Sequence, residues 1–206
     1  MNDYEVVNEF GFCEMYEWAE VPNQEFRLGR FVQFDKDNPG KIRLCCSDEN
    51  IVGVTSVNST GTISDNYDKY WKGKYMMNEF GDIYIQNEKL AVGQKVYDQL
   101  NEMSFIQTRP WTHFVPVENP QYNKDLEQQY VKRSNRNEWA RVNIAGKAIV
   151  EDNGDCKPGE YCRPYFGKLK IKQGTAVPAS EEDKTKYYVL NRISQRTILI
   201  LNKNMA

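Results

Sequence analysis

Three glutamates stand three residues apart near the N-terminus, Glu14, Glu17 and Glu20, interleaved with Met15, Tyr16 and Trp18. Carboxyl groups beside aromatic rings are open to acid–base work, because an apolar neighbour raises a carboxyl pKa toward neutrality. If Cys13–Trp18 is a strand, alternation puts Cys13, Met15 and Glu17 on one face and Glu14, Tyr16 and Trp18 on the other. The competing reading is an edge strand with solvated acids. Ser56 and Asn58 form a second candidate pair, sharing one face of a strand that starts at Ile51. A hydroxyl and an amide placed there polarise a carbonyl, or satisfy backbone groups where the strand turns.

Other chemistry is sparse. There is one histidine, His113, so a histidine-rich metal site and any triad needing two imidazoles are excluded. Cys45 and Cys46 are adjacent, and their side chains point to opposite faces of a strand. Cys156 and Cys162 are spaced more widely than the roughly two to four residues of zinc knuckles. All five cysteines read as small buried hydrophobes. No phosphate loop, dinucleotide fingerprint, zinc-protease motif or nucleophile elbow is present. No cofactor and no metal are expected.

The elements that must position these residues are mainly strands. The chain has 206 residues, 40% of them hydrophobic, enough for one ordinary core. With 27 basic and 29 acidic residues it lacks the basic excess of a nucleic-acid-binding domain. No run nears the ~18 apolar residues of a spanning helix, and Met1–Glu5 has neither the basic nor the apolar region of a secretory leader. Phe26–Phe34 and Lys41–Cys46 read as a hairpin around the turn Asp37-Asn38-Pro39-Gly40. Ile51–Val57 is β-branched, and Gly53 inside it signals a bulge or a close backbone approach. Asp65–Tyr75 reads as a short helix or irregular segment. Strands are expected to start at Ile83 and at Val96, and Ser104–Val117, broken by Pro110 and Pro116, reads as edge strand or extended loop. Residues 119–137 read as an exposed excursion. Trp139–Val150, Leu169 with Ile171, Tyr187–Leu190 and Thr197–Leu201 complete the strands. The fold class is mainly β, a sandwich- or barrel-like antiparallel core with short helical segments and long loops.

Six blocks, in order, carry a family resemblance: Glu14-Met15-Tyr16-Glu17-Trp18-Ala19-Glu20; Arg27-Leu28-Gly29-Arg30-Phe31-Val32 with Lys41-Ile42-Arg43; Ile51 to Asn58; Trp71-Lys72-Gly73-Lys74-Tyr75 with Asn78-Glu79-Phe80-Gly81; Asn137-Glu138-Trp139-Ala140 with Gly146-Lys147; and Asp152 to Cys156 with Gly159 to Pro164. Together they resemble the C-terminal intramolecular-chaperone autoproteolytic cleavage domain of bacteriophage tail spikes and neck appendages, classed among glutamic peptidases. The resemblance implies a virion protein, made in the host cytoplasm, whose domain at 12–206 drives homotrimer assembly and then cuts itself free. It places the junction near Glu9, Phe10 and Gly11, with Glu14 or Glu17 as general acid or base and Ser56 and Asn58 polarising the scissile carbonyl. Residues 1–11 become an arm or attachment segment, and the domain carries an excursion near 104–137.

Two departures at the site point away from cleavage. Glu9-Phe10-Gly11 stands where the family has a small residue such as serine, so a hydroxyl that would attack its own peptide bond is missing. Asn58 is followed by Ser59 where the family usually has proline. Only residues 1–11 precede the resembling part, which runs from about residue 12, and no spike body is expected. The expectation is a trimeric virion module at a spike, fibre or appendage tip that keeps the chaperone fold without cutting itself. A self-cleaving peptidase is the alternative. A glycan-binding β domain using Tyr67, Tyr70, Trp71 and Trp111 is the third. Expected partners are copies of the same chain, other tail or appendage proteins and a host surface glycan, with no membrane and no nucleic acid.

Overall fold

The computed structural model describes residues 11–57, 59–64, 68–90, 92–93, 95–98, 103–106, 111–167 and 172–202. It is mainly β, and its helical segments among the described residues are short 3-10 turns. The strands are β1 (Phe12–Glu17), β2 (Phe31–Phe34), β3 (Ile42–Leu44), β4 (Ile51–Thr55), β5 (Gly61–Ile63), β6 (Ile85–Leu90), β7 (Lys95–Asp98), β8 (Met103–Ile106), β9 (Trp111–Pro116), β10 (Trp139–Glu151), β11 (Tyr161–Pro164), β12 (Ala176–Pro178), β13 (Tyr187–Ser194) and β14 (Thr197–Asn202). Contacts divide the chain into two units, Met1–Asn66 with Val131–Ala206, and Tyr67–Tyr130.

The first unit is one curled sheet in the order β12-β11-β13-β14-β10-β4-β2-β3, with β1 on β10 and β5 on β1. Neighbours are antiparallel except β1 with β5. The 13-residue β10 is its spine: its first half pairs β1 and β4, and its second half pairs β14. Alternation on β10 feeds two apolar clusters. Ala140 and Val142 pack with Trp18, Val32, Ile42 and Val52. Ala148 and Val150 pack with Phe31, Val54, Val189, Ile198 and Ile200.

Polar groups inside this sheet are matched to the backbone. The buried Arg30 guanidinium donates to the Thr175 hydroxyl and to the Glu151 carboxylate. Its own backbone N–H donates to Thr55 Oγ1 at 3.0 Å. Gln33 Oε1 accepts the backbone N–H groups of Cys46 (2.6 Å) and Ser47 (3.1 Å), satisfying donors just past β3. The hairpin of β2 and β3 forms around the expected turn. Asp35 holds that turn, its Oδ1 accepting from the backbone of Asp37 (3.0 Å) and Asn38 (2.8 Å) and from the Asn38 amide (3.0 Å).

Several elements differ from the sequence reading. Phe26–Phe34 is not one strand: Gln24–Phe26 is a 3-10 turn and β2 starts only at Phe31. Gly29, at φ 63°, takes a left-handed conformation that lets its N–H reach the Thr55 carbonyl (2.9 Å) and its carbonyl accept from Glu151 (2.9 Å). Those tertiary bonds override the apolar alternation. Asp68–Gly73 is a kinked 3-10 segment. Leu169, Ile171 and Pro110 lie outside the described residues.

The second unit holds two antiparallel ribbons, β6 with β9 and β7 with β8. The stretch Ser104–Val117 therefore supplies strands to two separate ribbons. Pro116 ends β9, an edge position where its missing N–H costs no ladder bond. Trp71 Nε1–H donates to the Leu126 carbonyl at 2.8 Å, and its ring stands edge-on to Tyr130.

Gly53 shows why β4 and β10 lie so close. A Cβ at Gly53 would collide with the carbonyl oxygen of Asn143. Gly53→Ala is expected to lower unfolding free energy by about 3 kcal/mol through overpacking against backbone. Gly40→Ala, with nothing within 4 Å but φ 82°, is expected to lose only about 1 kcal/mol from backbone strain. Urea denaturation of the two variants checks the difference, and equal losses would refute the close-approach argument.

Candidate functional site

The acidic–aromatic block forms β1 because both of its edges are paired. It lies antiparallel to β10 from Phe12 opposite Ala145 to Glu17 opposite Trp139. Phe12–Glu14 also pairs in parallel with β5. Cys13 and Met15 point into the core, as alternation requires. Trp18, just beyond the strand, is also buried, joined to Ile42 by an isolated bridge. The two glutamates take opposite faces of β1. Glu14 accepts a hydrogen bond from the Tyr16 hydroxyl at 2.8 Å. Glu17 pairs with Lys41 Nζ at 2.7 Å.

Ser56 follows β4, and its N–H donates to the Arg141 carbonyl at 2.9 Å. Arg141 also sits opposite Met15. Ser56 therefore lies across β10 from Met15, about 10 Å from β1 by two strand spacings, on the face that Glu14 does not share. Thus Glu14, Glu17 and Ser56 are not brought to one point. Asn58, Glu9 and Phe10 lie outside the described residues.

Gly11 is held on three sides. Its N–H donates to the Lys147 carbonyl at 3.0 Å, and its carbonyl accepts from the Thr60 N–H at 3.3 Å. A Cβ there would run into the Ala145 carbonyl oxygen. Gly146, at φ 88°, faces it, and a Cβ there would press on the Gly11 Cα, so two glycines meet where neither backbone has room for a side chain. Asn143 and Asn202 complete this buried corner. Asn143 Nδ2 donates to the same Lys147 carbonyl at 3.0 Å, and Asn202 Nδ2 donates to the Asn143 carbonyl at 2.9 Å. The sequence reading passed over both asparagines. The available signal was an amide between Val142 and Ile144 in an apolar run.

Four of the five thiols, Cys13, Cys45, Cys156 and Cys162, are buried as expected, but Cys46, just past the end of β3, is exposed. Burial pushes the Cys13 thiol up. A hydrogen bond with Cys156, followed by burial, pushes Cys162 up strongly. Among the described residues no group of three or more His, Cys, Asp or Glu is placed to hold a metal. No described helix is long and apolar enough to cross a membrane. Of the aromatic residues considered for a glycan, Trp71 is engaged within its own unit. Tyr67 and the side chains of Tyr70 and Trp111 lie outside the described residues.

With this geometry in hand, the comparisons with known proteins are decisive for the family. The family model of the Peptidase_G2, IMC autoproteolytic cleavage domain matches residues 4–191. The chain belongs to this family. Relatives include the preneck appendage protein of Bacillus phage PZA, 28% identical over 72% of this chain and 14% of that protein. The pre-neck appendage protein of Bacillus phage B103 is 29% identical over 69% of this chain and 14% of that protein. The chain thus matches about a seventh of the length of these curated relatives. The crystal structure of the C-terminal fragment of bacteriophage phi29 gene product 12 has the same fold, with a TM-score of 0.57 at 22% identity, covering 93% of this chain and 99% of that fragment.

In this Peptidase_G2 chain the pairing of Glu14 with Tyr16 leaves a measurable mark. Burial, and then the hydrogen bond and negative charge of Glu14, push the Tyr16 hydroxyl up to about 12. Carbon-13 NMR of labelled tyrosine is expected to find that midpoint. Glu14→Gln should bring it down, yet leave it above 10.0 because burial, the larger cause, persists. An unmoved midpoint would show that the two groups are not in contact.

Proposed function

We propose that this chain is the assembly module of a phage virion appendage. It folds as a homotrimer, joins other appendage or tail proteins through residues 1–11, and keeps those residues rather than cutting them off. The observation that carries the reading is the state of the expected junction. Gly11 is tied into the sheet at both its N–H and its carbonyl. Attack on a peptide carbonyl needs a nucleophile and an acid or base within hydrogen-bond reach. Glu14 and Glu17 lie on opposite faces of β1, engaged by Tyr16 and Lys41, and glycine supplies no hydroxyl.

Exposed apolar side chains support self-association. On the ribbons of the second unit Ile85 is 64%, Ile106 65% and Phe114 68% exposed. Two-stranded ribbons of this kind are marginal alone. Closed cyclic assembly buries such surfaces on every copy at once. The setting is the virion, in keeping with relatives named as appendage proteins. The second reading is self-cleavage near Glu9–Phe12 by the carboxylate of Glu14 or Glu17, with Ser56 and Asn58 at the carbonyl. Membership of a family described as autoproteolytic favours it.

Intact mass with light scattering on the full-length protein, fresh and after prolonged warm incubation, decides between the two. The expected result is an unshortened 24.1 kDa chain in a particle of three times that mass. A fragment beginning near Phe10 or Gly11, abolished by Glu14→Gln or Glu17→Gln, would establish the peptidase instead. A full-length monomer would refute the trimer.

A further inference from the structure

A cleft of about 500 Å³ opens beside the end of β1 and the segment leading into β10. Arg27, Arg136 and Arg141 line it, with the amides of Asn135 and Asn137, and no aspartate or glutamate is among its described lining residues. Three guanidiniums gathered in one concavity stand out in a chain of net charge −2. Low-dielectric walls concentrate their field and raise the local concentration of anions.

The bonds Arg27 and Arg141 already make orient them more than they neutralise them. Arg27 donates from Nε to the Pro22 carbonyl and from Nη1 to Asn137 Oδ1, both at 3.2 Å. Arg141 donates to the Val57 carbonyl. Both are therefore held by neutral oxygens. Arg136 has a carboxylate nearby in Glu138, at 3.5 Å. That acid is 45% exposed, and ion pairs so open to water contribute little.

The aromatic groups of the cleft narrow the ligand class. The Trp139 ring carries two guanidiniums, Arg133 with its Cζ 3.9 Å from the ring centroid and Arg136 at 5.4 Å. Trp18, the other aromatic lining residue, is 3% exposed. Trp139 thus already carries guanidiniums and Trp18 is buried, so stacking of a base or a sugar ring is not what sets this cleft apart. What the cleft offers is a set of N–H donors. Guanidinium forks match carboxylates bidentately. The Asn135 and Asn137 amides supply paired donors and acceptors of the kind a peptide backbone uses.

We propose that this cleft binds an acidic peptide segment of a partner protein, with aspartate or glutamate side chains on Arg27 and Arg141. The site is separate from Glu14 and Glu17, neither of which lines it. It stands whether or not the chain trimerises or cuts itself.

The test uses the full-length protein and a fluorescent, end-blocked tetraglutamate peptide, with the tetraglutamine peptide and inorganic pyrophosphate as comparisons. Fluorescence anisotropy is expected to show saturable binding of tetraglutamate that weakens as salt rises. Arg27→Gln and Arg141→Gln should each weaken it about tenfold, the effect of losing a charged hydrogen bond. Arg196→Gln, an exposed arginine outside the cleft, should leave it unchanged. Thermal melts establish that the variants are folded. If Arg141→Gln fails to fold because it also loses its bond to Val57, Arg27→Gln alone decides. Equal binding of tetraglutamine, no saturation at millimolar peptide, or full affinity in Arg27→Gln would each overturn the proposal. Displacement by pyrophosphate at lower concentration than by unlabelled tetraglutamate would overturn it too, making the cleft a phosphate site.

Discussion

The first unit depends on how closely two backbones, at Gly11 and at Gly53, approach β10. Gly11, Gly53 and Gly146 meet within a few residues of Asn143, and a side chain on any of them would strike main-chain atoms of a neighbouring strand. Interstrand spacing is set by hydrogen bonds, so such crowding leaves no room to relax without breaking the ladder. Asn143 serves this crossing twice. Its backbone pairs with Cys13 on one side and Val54 on the other, and its amide bonds the Lys147 carbonyl. Asn202, at the end of β14, closes the corner from a fourth strand.

That crossing governs the chemistry available to the chain. Alternation along β1 turns Glu14 and Glu17 to opposite faces, and the strand pairing places β10 between β1 and Ser56. Family membership alone suggests a set of catalytic groups converging on a junction. Here Glu14, Glu17 and Ser56, the described candidates, do not converge. The same β10 segment lines an arginine-rich cleft on the face that Met15 and Ser56 share.

Much of the sheet was legible because its strands are locally self-consistent. Ile51–Thr55 and Thr197–Asn202 are β-branched and apolar, and turn residues bound them. Gly53 inside an apolar run correctly signalled a backbone approach. Phe26–Leu28 misled because alternation says nothing about a left-handed residue downstream; Gly29 broke the strand to bond with Thr55 and Glu151. Ser104–Val117 gave no sign of dividing between two ribbons, since each partner strand lies elsewhere in the chain. At the site, Glu14 and Glu17 stood out by type, whereas Asn143 and Asn202 were hidden in strands whose other residues are apolar.

By itself the sequence determined the class: mainly β, with a family signature spread over six ordered blocks. Strand propensity, turn chemistry and residue order are local properties, and each is written in consecutive residues. Tertiary structure alone decided which charges meet. Glu17 found Lys41, Arg30 found Glu151, and Arg27 was brought to Arg136 and Arg141, from positions far apart in the chain. Such meetings depend on strand order and register, and register is set by backbone contacts between distant segments.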